Sequence, residues 1–214
     1  MREHSIKIET TAHYYTLGEL NEKTHEIWVL CHGYGQLAKF FIQKFKSIEK
    51  EGVYIIAPEG LNKFYLKGFS GRVGASWMTK ENRGDEIVDH CSFLELVTDK
   101  LLKEAATDCK LNVLGFSQGT ATVSRWSLVT KHPFNSLILW AGKIANDFNF
   151  EAYNFKHPET QNYIVFGNDD EFYTAESVLE YKKELKNFDA EWIQYTGGHT
   201  IEQDTLERIA GKFD

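Results

Sequence analysis

The sequence predicts an α/β fold on a mainly parallel sheet, and three observations carry that expectation. Short apolar runs at residues 27–31, 53–57, 111–114, 136–140 and 162–166 read as strands, and strands covered on both faces show continuous apolar runs rather than alternation. Segments with apolar residues at helical spacing lie between several of them, and strands alternating with helices imply parallel pairing through right-handed crossovers. Lastly, Gly115-Phe116-Ser117-Gln118-Gly119 joins one of these strands to a helix. That context turns a weak five-residue pattern into a serine held proud of a sheet edge.

Taken in order, residues 6–17 alternate loosely and predict one or two edge strands of a starting hairpin. The strand at 27–31 ends in His32-Gly33-Tyr34-Gly35, a loop where backbone can approach a ligand. Residues 37–50 carry Phe40, Phe41, Phe45 and Ile48 at helical spacing, and Pro58 stops the next strand. From 59 to 84 no clear period is visible, and a loop of that length is often functional. An amphipathic helix over 85–106 follows, with Ile87, Cys91, Leu94, Val97, Leu101 and Leu102 on its inner stripe. The helix after the elbow reads from 120 to 131, and residues 141–158 read as a loop. The strand over 162–166 ends at Gly167-Asn168-Asp169-Asp170. A helix over 175–187, a last strand over 190–195, a Gly197-Gly198-His199 turn and a closing helix over 201–211 complete the chain. No repeat or linker is visible, so residues 1–214 are expected to form one domain.

At 214 residues the chain is long enough to bury roughly 70–75% of its unfolded surface. Its 42% hydrophobic and 26% charged residues are those of an ordinary globular protein. A formal net charge of −7 argues against nucleic acid or an anionic membrane as partner, since both favour basic patches. Three cysteines, Cys31, Cys91 and Cys109, have no metal-like spacing and fit a reduced, cytoplasmic setting. The N-terminus lacks an apolar export segment and no run reaches membrane-spanning length, so neither export nor integral membrane contact is expected. Oligomeric state is not encoded in any pattern here.

A serine nucleophile needs a base, and the base needs an acid to set its tautomer. In a parallel sheet these groups gather at the carboxyl ends of strands, in the chain order Ser, acid, His. Only His199 lies beyond residue 157, so it is the candidate base. For the acid, Asp169 and Asp170 both follow the strand over 162–166, with Glu171 a weaker third. The Gln118 amide is one candidate donor to a developing oxyanion, and an amide of the 32–35 loop, that of Tyr34, is the other. His32 is expected to support that loop rather than react. No His/Cys/Asp cluster here has metal-ligand spacing, so activity should survive chelation.

Leu30-Cys31-His32-Gly33-Tyr34-Gly35, Ala57-Pro58-Glu59, Ser76-Trp77, the 115–119 motif, Gly167-Asn168-Asp169-Asp170 and Gly198-His199-Thr200-Ile201 together resemble the phospholipase/carboxylesterase family. That family of α/β-hydrolases includes the acyl-protein thioesterases. The resemblance spans residues 27–201 and implies an α/β-hydrolase fold without a separate cap domain, a serine esterase or thioesterase activity, and no cofactor. It places the acid three residues after Gly167, which selects Asp170. Departures from the family are Gln36 in place of an acid, Met78-Thr79 in place of an aromatic and an acid, and the unfamiliar segment 64–72.

The expected substrate is a small-molecule or lipid acyl ester. Phe69, Trp77 and Met78, with Phe64 and Tyr65, are candidate lining for an acyl pocket, or else packing beneath a long loop. Arg72 and Arg83 would meet an acidic substrate group or pair with surface carboxylates. Two alternatives stand beside the esterase reading: a silent hydrolase-fold binding module, which has no need of an intact Ser117, Asp170 and His199, and a serine peptidase on the same scaffold.

Overall fold

In the computed structural model, which describes residues 1–213, regular structure begins with β1 (Tyr14–Leu17) and β2 (Glu26–Cys31). Helix α1 (Ala38–Phe41) runs into a 3-10 helix (Ile42–Ile48), followed by β3 (Val53–Pro58). Then come β4 (Asn62–Tyr65), β5 (Val73–Ser76) and the long α2 (Arg83–Leu102). The elbow joins β6 (Lys110–Phe116) to α3 (Gln118–Val129), and β7 (Ser136–Trp140) and α4 (Phe150–Lys156) follow. The chain closes with β8 (Gln161–Gly167), α5 (Ala175–Glu184), β9 (Glu191–Tyr195) and α6 (Gln203–Ala210).

The central sheet has seven strands in the order β1-β3-β2-β6-β7-β8-β9. Only the edge pair β1–β3 is antiparallel; every other pairing in this sheet is parallel. Every residue of β2, β3 and β7 is buried, as continuous apolar runs require. Period-2 alternation then sorts the side chains between two cores. Ile27, Val29, Val113, Leu137 and Ile164 face one layer with Leu94 and Val97 of α2, Val123 and Trp126 of α3, and Tyr181 of α5. Trp28, Leu30, Leu114, Ile138 and Val165 face the other, with Phe41 of α1, Phe45, and Leu206 and Ile209 of α6. Fully burying each such side chain contributes about 1.5–3 kcal/mol relative to exposure.

Several local expectations are corrected. The expected N-terminal hairpin is a lone strand, β1, that pairs with β3; Ile6 and Ile8 stay exposed and pair with nothing. The helix expected over 37–50 is mostly 3-10, which keeps Phe41, Ile42, Phe45 and Ile48 inward and leaves Phe40 in solvent. The aperiodic 59–84 segment contains the antiparallel pair β4–β5. Within the expected 141–158 loop sits α4, whose first turn is capped by Asn149 accepting from the Ala152 amide at 2.9 Å.

Candidate active site

Strand β6 and helix α3 meet at Ser117, whose backbone is held at φ 54°, ψ −114°. Such a conformation costs on the order of 1–3 kcal/mol and persists only where the surroundings enforce it. Here the Ser117 amide donates to the Trp140 carbonyl at the end of β7 (2.8 Å), and Thr120 N donates back to the Ser117 carbonyl (3.1 Å). The flanking glycines are steric necessities. A Cβ on Gly115 would strike the Gly119 carbonyl, and one on Gly119 would strike the Cys31 carbonyl at the end of β2. Close apposition of the β6–α3 turn and the β2 loop therefore depends on both.

The β8 and β9 loops are stitched together at the same edge of the sheet. Asn168 N donates to Tyr195 O (3.0 Å), Gly197 N to Asn168 Oδ1 (2.9 Å), and Asp169 N to Gly197 O (3.0 Å). This lacing sets His199 Nδ1 2.8 Å from Oδ2 of Asp170, whose side chain has no solvent exposure. The other carboxylate oxygen accepts the Phe172 amide at 2.9 Å. An ionised carboxylate can only accept, so in a neutral imidazole here the proton sits on Nδ1 and Nε2 is left as the acceptor. Asp169 is exposed and contributes only backbone bonds. The imidazole is boxed by Phe116 (4.8 Å between ring centres), Phe172 (4.7 Å, edge-on) and Tyr173 (6.4 Å, stacked). Its loop is tied down by the Tyr195 hydroxyl, 2.8 Å from Gly198 O and 2.7 Å from Thr200 O, and by Trp140 Nε1 donating to Thr200 O (2.9 Å).

The loop after β2 completes the edge. His32 is fully buried, and its Nε2 accepts the Gly60 amide (3.0 Å) while Nδ1 lies 2.8 Å from Gly33 O. Both ring nitrogens are thus engaged in holding backbone, and burial pushes its pKa below the ordinary value. A Cβ on Gly33 would come within 3.2 Å of Ser117 Cβ, which shows how closely this loop covers the serine. Gln36 turns back so that Oε1 accepts Gly33 N (2.9 Å). A neutral amide there holds the turn without adding negative charge beside the place where an oxyanion would form. Among the described residues, the Tyr34 and Gln118 amides have no acceptor within the protein. The Gln118 side chain instead braces residues 76–78, accepting Trp77 N (3.1 Å) and donating to Met78 O (2.8 Å).

Of the candidate acyl-pocket residues, Trp77 and Met78 lie buried against the Gln118 side chain and Phe69 stands apart in solvent. Phe69 is 99% exposed at the tip of the β4–β5 hairpin. Trp77 has no exposed surface; its indole donates to His32 O (2.8 Å) and packs 5.0 Å from the His32 ring, so it braces the loop after β2. Met78 is buried with Sδ 3.4 Å from Arg125 Nη1. A cavity of about 670 Å³ lies instead between the loop after β2, α1 with its 3-10 extension, and the start of β5, with Gln36, Phe40 and Phe41 in its wall. Sequence reasoning missed Phe172, which offers Asp170 a backbone donor and His199 a ring. It also missed Glu95, Asp99 and His132, whose ligand atoms lie within 4.8 Å of one another. That trio sits near the far end of α3 and is already engaged by Lys131, which bonds to Asp99 at 2.7 Å.

Comparison with known proteins shows the family and the fold. The family described as Serine hydrolase (FSH1) matches residues 23–208. Among solved structures, a Zea mays acyl-protein thioesterase 2 superposes with TM-score 0.70 at 14% identity, covering 95% of this chain and 98% of that one. A carboxylesterase from Mesorhizobium loti gives 0.69 at 18% identity, over 94% of each chain. A phospholipase/carboxylesterase from Dyadobacter fermentans gives 0.66 at 19%, over 96% and 97%. At such identities these neighbours establish the fold, which is that of the α/β-hydrolases. No curated protein matches the sequence.

Proposed function

This chain belongs to the FSH1 family of serine hydrolases, and from that premise we propose that it cleaves carboxylic esters or thioesters of small-molecule acyl groups through Ser117, His199 and Asp170. The observation that carries the reading is the 2.8 Å hydrogen bond from His199 Nδ1 to the fully buried Asp170 carboxylate, on the sheet edge where Ser117 is presented. His199 Nε2 takes the Ser117 proton as Oγ attacks the carbonyl, and Asp170 stabilises the imidazolium that forms. The tetrahedral oxyanion is held by the amides of Gln118 and Tyr34, which have no other acceptor. Collapse passes the proton from His199 to the departing alkoxide or thiolate and leaves an acyl-enzyme. Water then repeats the sequence and frees Ser117.

The names of the structural neighbours, esterases and an acyl-protein thioesterase, favour esters over peptides. The reading takes residues 1–214 as one catalytic domain, needing neither metal nor organic cofactor. Three free cysteines suit a reducing, cytoplasmic setting. It is tested by hydrolysis of p-nitrophenyl esters by the purified protein in EDTA. Turnover that survives chelation and disappears in Ser117→Ala supports the reading. Loss on chelation, or turnover retained without the serine, contradicts it.

A further inference from the structure

The walls of the 670 Å³ cavity combine apolar and cationic side chains. Leu37, Phe40, Phe41 and Val73 make it apolar, while Lys39, Lys44 and Arg72 stand around it. No acidic residue lines it, and none of the three cations has a carboxylate partner among the described residues. Lys39 lies over the Phe40 ring, 4.9 Å from its centre, and Lys44 reaches only the Thr200 hydroxyl at 3.4 Å. This is the reverse of what the whole chain would suggest, because its formal net charge is −7. In such a protein an anion is repelled by most of the surface, so a local cluster of unpaired cations marks where one is welcome.

Ser117, Asp170 and His199 do not line the cavity, but it lies against the loop that covers Ser117. Gly35 and Gln36 belong both to its wall and to the loop that covers Ser117. Lys44 bonds to Thr200, the residue after His199. A volume of this size suits a small molecule rather than a macromolecular segment.

We propose that this cavity is the specificity subsite of the enzyme, and that it selects esters bearing an anionic group set off from the scissile carbonyl by an apolar spacer. The inference rests on the serine hydrolase reading above. Phe40, Phe41 and Val73 take the spacer; Lys44, Arg72 and Lys39 take the charge, with the planar Arg72 guanidinium suited to grip two oxygens at once. Because the anion resides on either half of the ester, the test has two arms. One compares p-nitrophenyl hydrogen adipate with its methyl ester; the other compares the butyrate of 4-hydroxybenzoate with that of methyl 4-hydroxybenzoate.

In at least one arm the charged member should have a kcat/KM at least about tenfold above its neutral isostere. That ratio should fall toward one in Lys44→Gln/Arg72→Gln and, in the unaltered protein, as salt rises and shortens the screening length. A ratio measured within one protein cancels any general loss of activity. Should the double variant fail to fold, Lys39→Gln and the salt series still decide. Ratios near one in both arms, or a charge preference indifferent to salt and to these substitutions, overturn the proposal. Labelling of Ser117 by a fluorophosphonate separates the two levels. An adduct without charge preference defeats this inference alone, and no adduct defeats the hydrolase reading beneath it.

Discussion

Replacing Asp170 by Asn removes one charge and almost no volume, and the structure indicates why it should be severe. Both carboxylate oxygens accept: Oδ2 from His199 Nδ1 at 2.8 Å and Oδ1 from the Phe172 amide at 2.9 Å. Asparagine offers one acceptor and one NH2 group. If its nitrogen faces the imidazole, His199 must move its proton to Nε2 and loses its lone pair toward Ser117. If the nitrogen faces Phe172 instead, two buried donors confront each other. The second orientation leaves one donor unsatisfied, at about 1–3 kcal/mol or a loss of roughly 2–10 °C in Tm, whereas the first keeps both contacts and sets the wrong tautomer. The tautomer error should lower kcat by about three to four orders of magnitude. The exposed Asp169, whose side chain makes no hydrogen bond among the described residues, should tolerate the same change within about 0.5 kcal/mol. Steady-state kinetics on a p-nitrophenyl ester, with Tm for each variant, decides. Asp170→Asn retaining activity within tenfold of the unaltered protein, or Asp169→Asn suffering more, would refute the argument.

Burial holds His90 down from its ordinary 6.5 to about 4. Its folded pKa lies below its unfolded one, so the unfolded chain binds more protons between those values and stability falls as pH drops from about 6.5 toward 4. The loss from this residue between pH 6.5 and 5 is about 2 kcal/mol, and denaturant midpoints for His90→Gln should show that much less pH dependence; an unchanged slope would contradict it. Trp77→Ala should cost about 3–5 kcal/mol, since a fully buried indole and its bond to His32 O are lost. As a brace it should slow esters of every chain length by a similar factor, and a change confined to long chains would return it to the substrate pocket.

How much of this was legible depended on whether a feature is local. Strands β2, β3 and β7 could be read because burial on both faces leaves no polar position to obscure the run. The elbow carries its own signature in Gly115, Ser117 and Gly119, and His199 followed from elimination. Asp170 over Asp169 did not follow from residue type, since the choice is made by the β8–β9 lacing. The β4–β5 pair was invisible because its burial alternates only weakly and part of its support is remote, as in the bond from the Gly35 amide to Ala75 O. For Trp77 the sequence left pocket lining and packing both open, for the same kind of reason. An aromatic near a loop looks identical in sequence whether it meets substrate or the back of His32. The cation-lined cavity draws Lys39, Lys44 and Arg72 from segments about thirty residues apart, beyond any periodicity argument.

The account stands on Ser117 being an activated nucleophile, and covalent labelling tests that most directly. Incubation with a fluorophosphonate, followed by intact-mass and peptide mapping, should show one adduct per chain, on Ser117. The adduct should form far more slowly in His199→Ala, which lacks the base. Stoichiometric modification elsewhere, or none in a folded sample, would contradict the assignment of this site.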